Sequence, residues 1–355
     1  MPVQHAEERA LVWQEPGWDR DGNMPSAAVF CGEILPEMIM ALGYMPKRVF
    51  PSVSYPDLSP VTLPPFSCAA AKSHVSMLLR GELDDVELFV FSDTCDTMIA
   101  LHSIFQSRGK KTIRLASPRS FSTNASRHYL LSEIQRITTT SEMRFSEDSF
   151  QRAAALYARL RQLLSALAEL RDRMPQDVFF KINRYAWSVH PEAACAVLQD
   201  LVNELSTSPR RQAFRVLLLG SCVLGPGLFQ LLDRLKLVVA GDNMCDAQRM
   251  NPGWPVAHLS DVAALTCERP PCPCKHGGGA SACLDRLLAA HDPDGVIIHT
   301  QKFCDPHSWD LSRVKQRLAR LGVRYLHLET SGEVSEQHRL RLESFCELLD
   351  AERRY

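Results

Sequence analysis

The strongest constraint on this chain is a rhythm. Short apolar runs recur, each stops at a cluster of Gly, Ser, Thr, Asp or Cys, and each is followed by residues at helical spacing. The clearest run is Val86–Phe91, apolar on both faces from Leu88 onward. A strand that is apolar on both faces must be covered on both, which is the pattern of a parallel sheet between helices. In the first part of the chain Ala27–Phe30, Arg48–Phe50, Val86–Phe91 and Lys111–Leu115 read as strands. Pro36–Leu42, Cys68–Leu79 and Met98–Phe105 read as helices, and the Pro-rich stretch Pro51–Pro65 as a loop. From Ser146 the rhythm breaks. Ala153–Met174 is dense in strong helix formers and ends at Pro175, and Val178–Leu205 reads as one or two further helices. At Arg215 the rhythm returns. Val216–Leu219, Leu237–Ala240, Val296–His299 and Tyr325–Leu328 are expected strands; Phe229–Leu235, Leu311–Leu321 and Gln337–Leu349 are expected helices. The expectation is an α/β fold with two Rossmann-like or flavodoxin-like parallel-sheet domains, residues 27–145 and 211–355. A helical connector, 146–210, joins them, and a polar arm, 1–26, precedes them.

Composition removes several function classes. The 355 residues carry 40 Lys+Arg against 41 Asp+Glu, a net charge of −1, which argues against a broad nucleic-acid-binding surface. No apolar run approaches a membrane span, and the N-terminal residues show no apolar signal segment, so a cytoplasmic protein with no membrane partner is expected. Disulfides are then the wrong explanation for its twelve cysteines. Buried small side chains, a metal or iron–sulfur site, and redox chemistry remain.

The positions of the cysteines narrow the choice. Cys95 and Cys304 share one context: an apolar strand, a few polar residues, Cys-Asp, then a helix. Cys222 and Cys245 also follow strands closely. In open parallel sheets the loops after the strands form the functional edge. Each Asp after Cys is expected to cap its helix, with Pro306 in the first turn. A thiol at such a helix start is expected to have a lowered pKa, favouring the thiolate that binds metal. Cys195 and Cys346 lie in amphipathic helices and read as core residues; Cys31 fits either role. A second cluster, Cys267, Cys272, Cys274, His276 and Cys283, has zinc-like ligand types, but its Cys-x-Cys spacing departs from the usual Cys-x₂-Cys.

Other chemistries lack their motifs. Gly220-Ser-Cys-Val-Leu-Gly225-Pro-Gly has the glycine spacing of a phosphate loop without the Lys-Ser/Thr that would grip phosphate and magnesium. Gly225-Pro-Gly-Leu-Phe-Gln lacks the third glycine of a dinucleotide fingerprint.

Several segments together resemble the 2-hydroxyacyl-CoA dehydratase family, which includes the benzoyl-CoA reductase subunits. They are Phe30–Gly43, Phe66-Ser-Cys68, Phe91-Ser-Asp-Thr-Cys-Asp-Thr97, Asp294–Pro306, Leu328-Glu-Thr330 and Gln337–Phe345, in that order, and the similarity spans about residues 27 to 350. The resemblance implies a 4Fe–4S cluster between two α/β domains, held by Cys68, Cys95 and Cys304, with one iron left open. It implies a lyase that removes water from an (R)-2-hydroxyacyl-CoA through a ketyl radical, after one-electron reduction by a separate ATP-hydrolysing iron–sulfur activator. It also implies a homologous second subunit. The surplus of cysteines keeps other readings open. One is a homodimeric reductase of small molecules with a double-cubane cluster, drawing on Cys31, Cys222, Cys245, Cys272 and Cys274. Others are a benzoyl-CoA reductase-type subunit and a non-catalytic partner subunit. Glu37 is a candidate acid or base beside the cluster, and Glu33 reads as an ordinary helix-start acid. Spacing does not reveal substrate-binding residues or the acyl group.

Overall fold

The computed structural model describes residues 24–31, 33–53, 62–118, 124–140, 145–251, 256–268, 272–273 and 279–353. It contains two four-stranded, all-parallel sheets. The first is built from β1 (Ser26–Val29), β2 (Met45–Arg48), β3 (Leu88–Ser92) and β4 (Thr112–Leu115), interleaved with α1 (Pro36–Ala41), α2 (Ala69–Leu79) and α3 (Asp96–Ser107). Then come α4 (Asn124–Thr140), α5 (Glu147–Glu169), α6 (Gln176–Ala186) and α7 (Pro191–Ser206). The second sheet comprises β5 (Phe214–Gly220), β6 (Leu237–Met244), β7 (Gly295–Gln301) and β8 (Tyr325–Thr330). It is interleaved with α8 (Gly227–Arg234), α9 (Leu259–Glu268), α10 (Gly279–His291), α11 (Asp305–Arg320) and, at the end, α12 (Glu336–Arg353).

The strand orders are β2-β1-β3-β4 and β6-β5-β7-β8, the same arrangement twice. The direction of winding reverses between β1 and β3 in one sheet and between β5 and β7 in the other. Those are the points where an open α/β sheet leaves a crevice at its C-terminal edge. The apolar strands are covered as their composition requires. Phe30, Phe89, Phe91 and Phe105 are fully buried under the first sheet, with Phe30 stacked on Phe91 at 4.6 Å between ring centroids. At the end of β5, Gly220 has φ +130°, and a Cβ there would lie 1.8 Å from the His299 carbonyl oxygen. Only glycine lets β5 turn out of the sheet this close to β7.

Buried arginines of the helices α5–α7 and their connections bind the layers together. Arg161 of α5 pairs with Glu37 of α1 at 2.7 Å. Arg171 pairs with Asp242 of β6 at 2.8 Å and donates to Gln176. Arg184 of α6 donates to the carbonyls of Pro51, Val223 and Leu224, and its guanidinium lies over the rings of Phe50 and Phe180.

Some elements differ from expectation. The second strand is Met45–Arg48, not Arg48–Phe50. It contains Pro46, which an edge strand tolerates because half of its backbone groups need no partner. The long helix α5 starts at Glu147, where Ser146 accepts the Ser149 N–H in its first turn. Helices α4, α9 and α10 were not foreseen. In α4 the buried positions Leu130, Ile134 and Ile137 have helical spacing but sit among Ser, Thr and His. Helix α9 follows β6 in sequence, yet its Val262, Ala263 and Leu265 join α4 in the core on the other face of the first sheet, against Ala27, Val29, Leu88 and Val90.

Candidate metal centre

The C-terminal edges of the two sheets bring seven cysteines within electrostatic reach of one another. Cys95 feels Cys68, Cys272 and Cys31; Cys304 feels Cys68, Cys245, Cys222 and Cys95; Cys245 feels Cys272 and Cys31. All three residues singled out by the resemblance, Cys68, Cys95 and Cys304, are helix N-cap residues, of α2, α3 and α11. This corrects the expectation that the following Asp caps the helix. Asp96 and Asp305 are instead the first helical residues, where a carboxylate is favoured by the helix dipole.

The fold arranges six of the thiols as two matching triads. Cys31 and Cys222 follow the first strand of each sheet, and Cys95 and Cys304 follow the third. Cys68 and Cys245 lie on the chain leaving the second strand. The Cys31 sulfur lies 3.5 Å from the Glu33 N–H and 3.6 Å from the Thr94 hydroxyl oxygen. Cys272 joins from outside both triads.

The thiols do not carry the lowered pKa expected of helix starts. Burial pushes Cys68 up, against the pull of the Ala70 and Ala71 N–H groups. Burial, then repulsion from neighbouring sulfurs, raises Cys95 and raises Cys304 well above the usual thiol range. Burial raises Cys245 to about 12, against the opposing pull of Arg249. Desolvation therefore outweighs the dipole. Without a cation bound these sulfurs hold their protons, and binding a metal would release them.

Two arginines accompany the sulfurs. Arg249 is buried, and Asn243 holds it through Nε at 3.0 Å and through a backbone carbonyl at 2.6 Å. Its remaining Nη1 donates to Cys245 Sγ at 3.1 Å. The His307 Nε2 lies 3.3 Å from the same sulfur, and burial holds that imidazole well below the usual histidine range. Arg48, at the end of β2, feels Cys31 first, then Cys222, Asp246 and Cys245. Neither arginine contacts a carboxylate within ion-pair distance among the described residues. Arg249 is buried and Arg48 half-buried, and the cysteines beside them would supply negative partners once deprotonated by a bound metal.

This donor set fits an iron–sulfur cluster. The candidate donors are soft sulfurs, they come from separate elements, they are half-buried, and cations lie beside them to offset thiolate charge. Among the described residues no three His, Cys, Asp or Glu side chains close on one ion position. Cys274 and His276, needed for the zinc reading of the Cys267–Cys283 segment, lie outside the described residues. Cys267 packs against the first core and Cys283 is buried.

Other cysteines stand apart. Cys195 is buried in the helical core, as expected. Cys346 packs at the edge of the second core. Glu37 is completely buried, and both its oxygens are engaged by Arg161. Glu33 comes nearer the sulfurs, acting electrostatically on Cys31 and Arg249. The sequence reading missed Arg48, Arg249 and His307. The signal for the last two was present: Arg249 lies one helical turn after Cys245, and His307 lies three residues after Cys304.

The family model for the 2-hydroxyglutaryl-CoA dehydratase D-component matches residues 31–349. The chain is 22% identical to the lactoyl-CoA dehydratase subunit beta of Anaerotignum propionicum, over 88% of each chain. It is 20% identical to the (R)-phenyllactyl-CoA dehydratase beta subunit of Clostridium sporogenes, again over 88% of each. It is 21% identical to the (R)-2-hydroxyglutaryl-CoA dehydratase subunit beta of Acidaminococcus fermentans, over 88% of this chain and 89% of that one. The match begins at Cys31, just after β1, and runs through the other seven strands and every cysteine position, and on that extent the chain belongs to the 2-hydroxyglutaryl-CoA dehydratase D-component family.

Proposed function

We propose that the chain is the iron–sulfur subunit of an enzyme that dehydrates an (R)-2-hydroxyacyl thioester of coenzyme A, working with a homologous second subunit. The observation that carries this reading is that Cys68, Cys95 and Cys304 stand at three helix starts within electrostatic reach of one another. The relatives named as beta subunits support it. Cys68, Cys95 and Cys304 would hold a 4Fe–4S cluster. Such a group supplies one-electron reducing power and a Lewis-acidic iron with an open position. The chain's own contribution is to bring the half-buried sulfurs to one edge and to balance their charge with Arg48 and Arg249. Arg249 orients the Cys245 sulfur by N–H donation, and His307 Nε2 stands against the same sulfur. The chain has no phosphate-gripping Lys-Ser/Thr in its glycine turn, so the ATP-driven delivery of electrons falls to a separate activator.

The two matching triads favour a second reading. Six sulfurs, with Cys272 beside them, exceed what one four-iron cluster uses. A larger, double-cubane cluster held by Cys31, Cys68, Cys95, Cys222, Cys245 and Cys304 would make the protein a reductase of small molecules, paired with itself. Anaerobic iron and sulfide analysis separates the readings. One cluster gives about four of each per chain, and a double cubane about twice that. Cys95→Ala lowers the iron content under both readings, and unchanged iron refutes both. Cys245→Ala lowers it only under the second.

A further inference from the structure

The turn after β6 carries Cys245 and Arg249, and the end of β6 ties it down. Asp242 Oδ1 accepts the N–H of Met244 at 3.2 Å and that of Gln248 at 3.0 Å. Its Oδ2 takes Arg171 at 2.8 Å, so this carboxylate is already neutralised. The next residue, Asn243, grips Arg249. Its Oδ1 accepts Nε at 3.0 Å and its backbone carbonyl accepts Nη2 at 2.6 Å. With those two edges fixed, Nη1 meets Cys245 Sγ at 3.1 Å.

Both acceptors of this clamp are neutral. Among the described residues no carboxylate lies within ion-pair distance of Arg249, and Glu33 acts on it only from further off. An aspartate at position 243 would hold the same Nε and pair with the guanidinium as well. It would cost no hydrogen bond, because Asn243, 2% exposed, has no partner for its Nδ2. What the amide does, and a carboxylate would not, is leave the charge of Arg249 uncancelled. That charge faces sulfur, and Cys245 comes second only to Cys68 among the sulfurs that act on Cys304. A cation fixed beside a cluster favours the state that holds one more electron, and N–H donation to a sulfur acts in the same direction.

We propose that Asn243 is a positioning residue: it holds Arg249 as an uncancelled cation against the cysteine set and thereby raises the reduction potential of the centre. The inference rests on the iron–sulfur reading and applies to either size of cluster.

The midpoint potential of the iron-loaded, full-length protein tests it, by anaerobic dye-mediated titration followed by EPR at pH 8, where an aspartate beside a guanidinium is ionised. Asn243→Asp should lower the midpoint, and the melting temperature of the metal-free protein verifies that this variant folds. Arg249→Gln should lower it by about tenfold in the redox equilibrium, which is about 59 mV for one electron. Arg249→Lys keeps the cation and should restore most of the difference. An unchanged midpoint in Arg249→Gln, or an equal fall in Arg249→Lys, overturns the proposal; an unchanged midpoint in Asn243→Asp overturns the part given to the amide. Iron and sulfide are measured on the same samples. Wild-type protein without iron refutes the iron–sulfur reading and this inference with it, whereas the expected iron content with unmoved midpoints refutes this inference alone.

Discussion

Glu37 separates a structural reading from a catalytic one, and replacing it by Gln puts a number on the difference. Its carboxylate receives Arg161 Nη2 at 2.7 Å and Nη1 at 3.4 Å, and the two side chains are 0% and 2% exposed. Gln keeps the shape and removes the charge. Arg161 would then be a buried cation with no anion, for its Nε already lacks a partner. Breaking such a pair from one side costs about 3–5 kcal/mol, a large share of the roughly 5–15 kcal/mol that holds a typical domain folded. Removing both charges together, as in Glu37→Met with Arg161→Met, costs far less, because no charge is left stranded. Urea denaturation of the metal-free protein, followed by far-ultraviolet circular dichroism, reads both variants. The single variant should unfold at clearly lower urea, and the double variant should recover most of the loss. If Glu37→Gln changes stability by less than about 1 kcal/mol while abolishing turnover, Glu37 acts on substrate and the structural account is wrong.

Two further perturbations follow from the same geometry. His299 is buried between Thr330, whose hydroxyl oxygen is 2.9 Å from Nε2, and the Ser221 carbonyl, and burial lowers its pKa to about 4. Its neutral form therefore contributes stability that is complete above about pH 6.5 and is lost as pH falls toward 4, about 3 kcal/mol in all. His299→Asn should flatten that acid limb in denaturation curves taken across this window, and an unchanged slope would contradict the assignment. Arg249→Met removes the cation and donor from Cys245 Sγ while keeping the volume. Loss of such a supporting partner costs about tenfold or more in metal retention, so iron should leave the variant faster under a chelator. Equal release rates would show that Arg249 does not serve the centre.

The rhythm of apolar runs was enough to read two parallel sheets, because strands covered on both faces leave a strong local pattern. The edge strand Met45–Arg48 was misplaced because it is short and carries a proline, which argues against a strand unless its edge position is known. Cys95 and Cys304 were legible because each sits between a strand and a helix. Cys68, preceded by a Pro-rich loop, was reached only through the family resemblance. The matching of Cys68 with Cys245 was beyond a linear reading, since it depends on the two sheets sharing one strand order. Charge compensation was equally hidden. Arg48 and Arg249 are ordinary arginines in the sequence, and only the folded chain shows that their neighbours are sulfurs.

Arg184 sets a condition on how the centre can be assembled. One guanidinium holds the carbonyl of Pro51, from the first half of the chain, together with those of Val223 and Leu224, from the second. It is a rivet through both plates. Spreading the halves to admit a bulky inorganic group would pull a buried cation off all three oxygens. The gap between the sheets therefore has a set width once the rivet is home. A cluster of the kind proposed would therefore enter more readily before the rivet is home than after it.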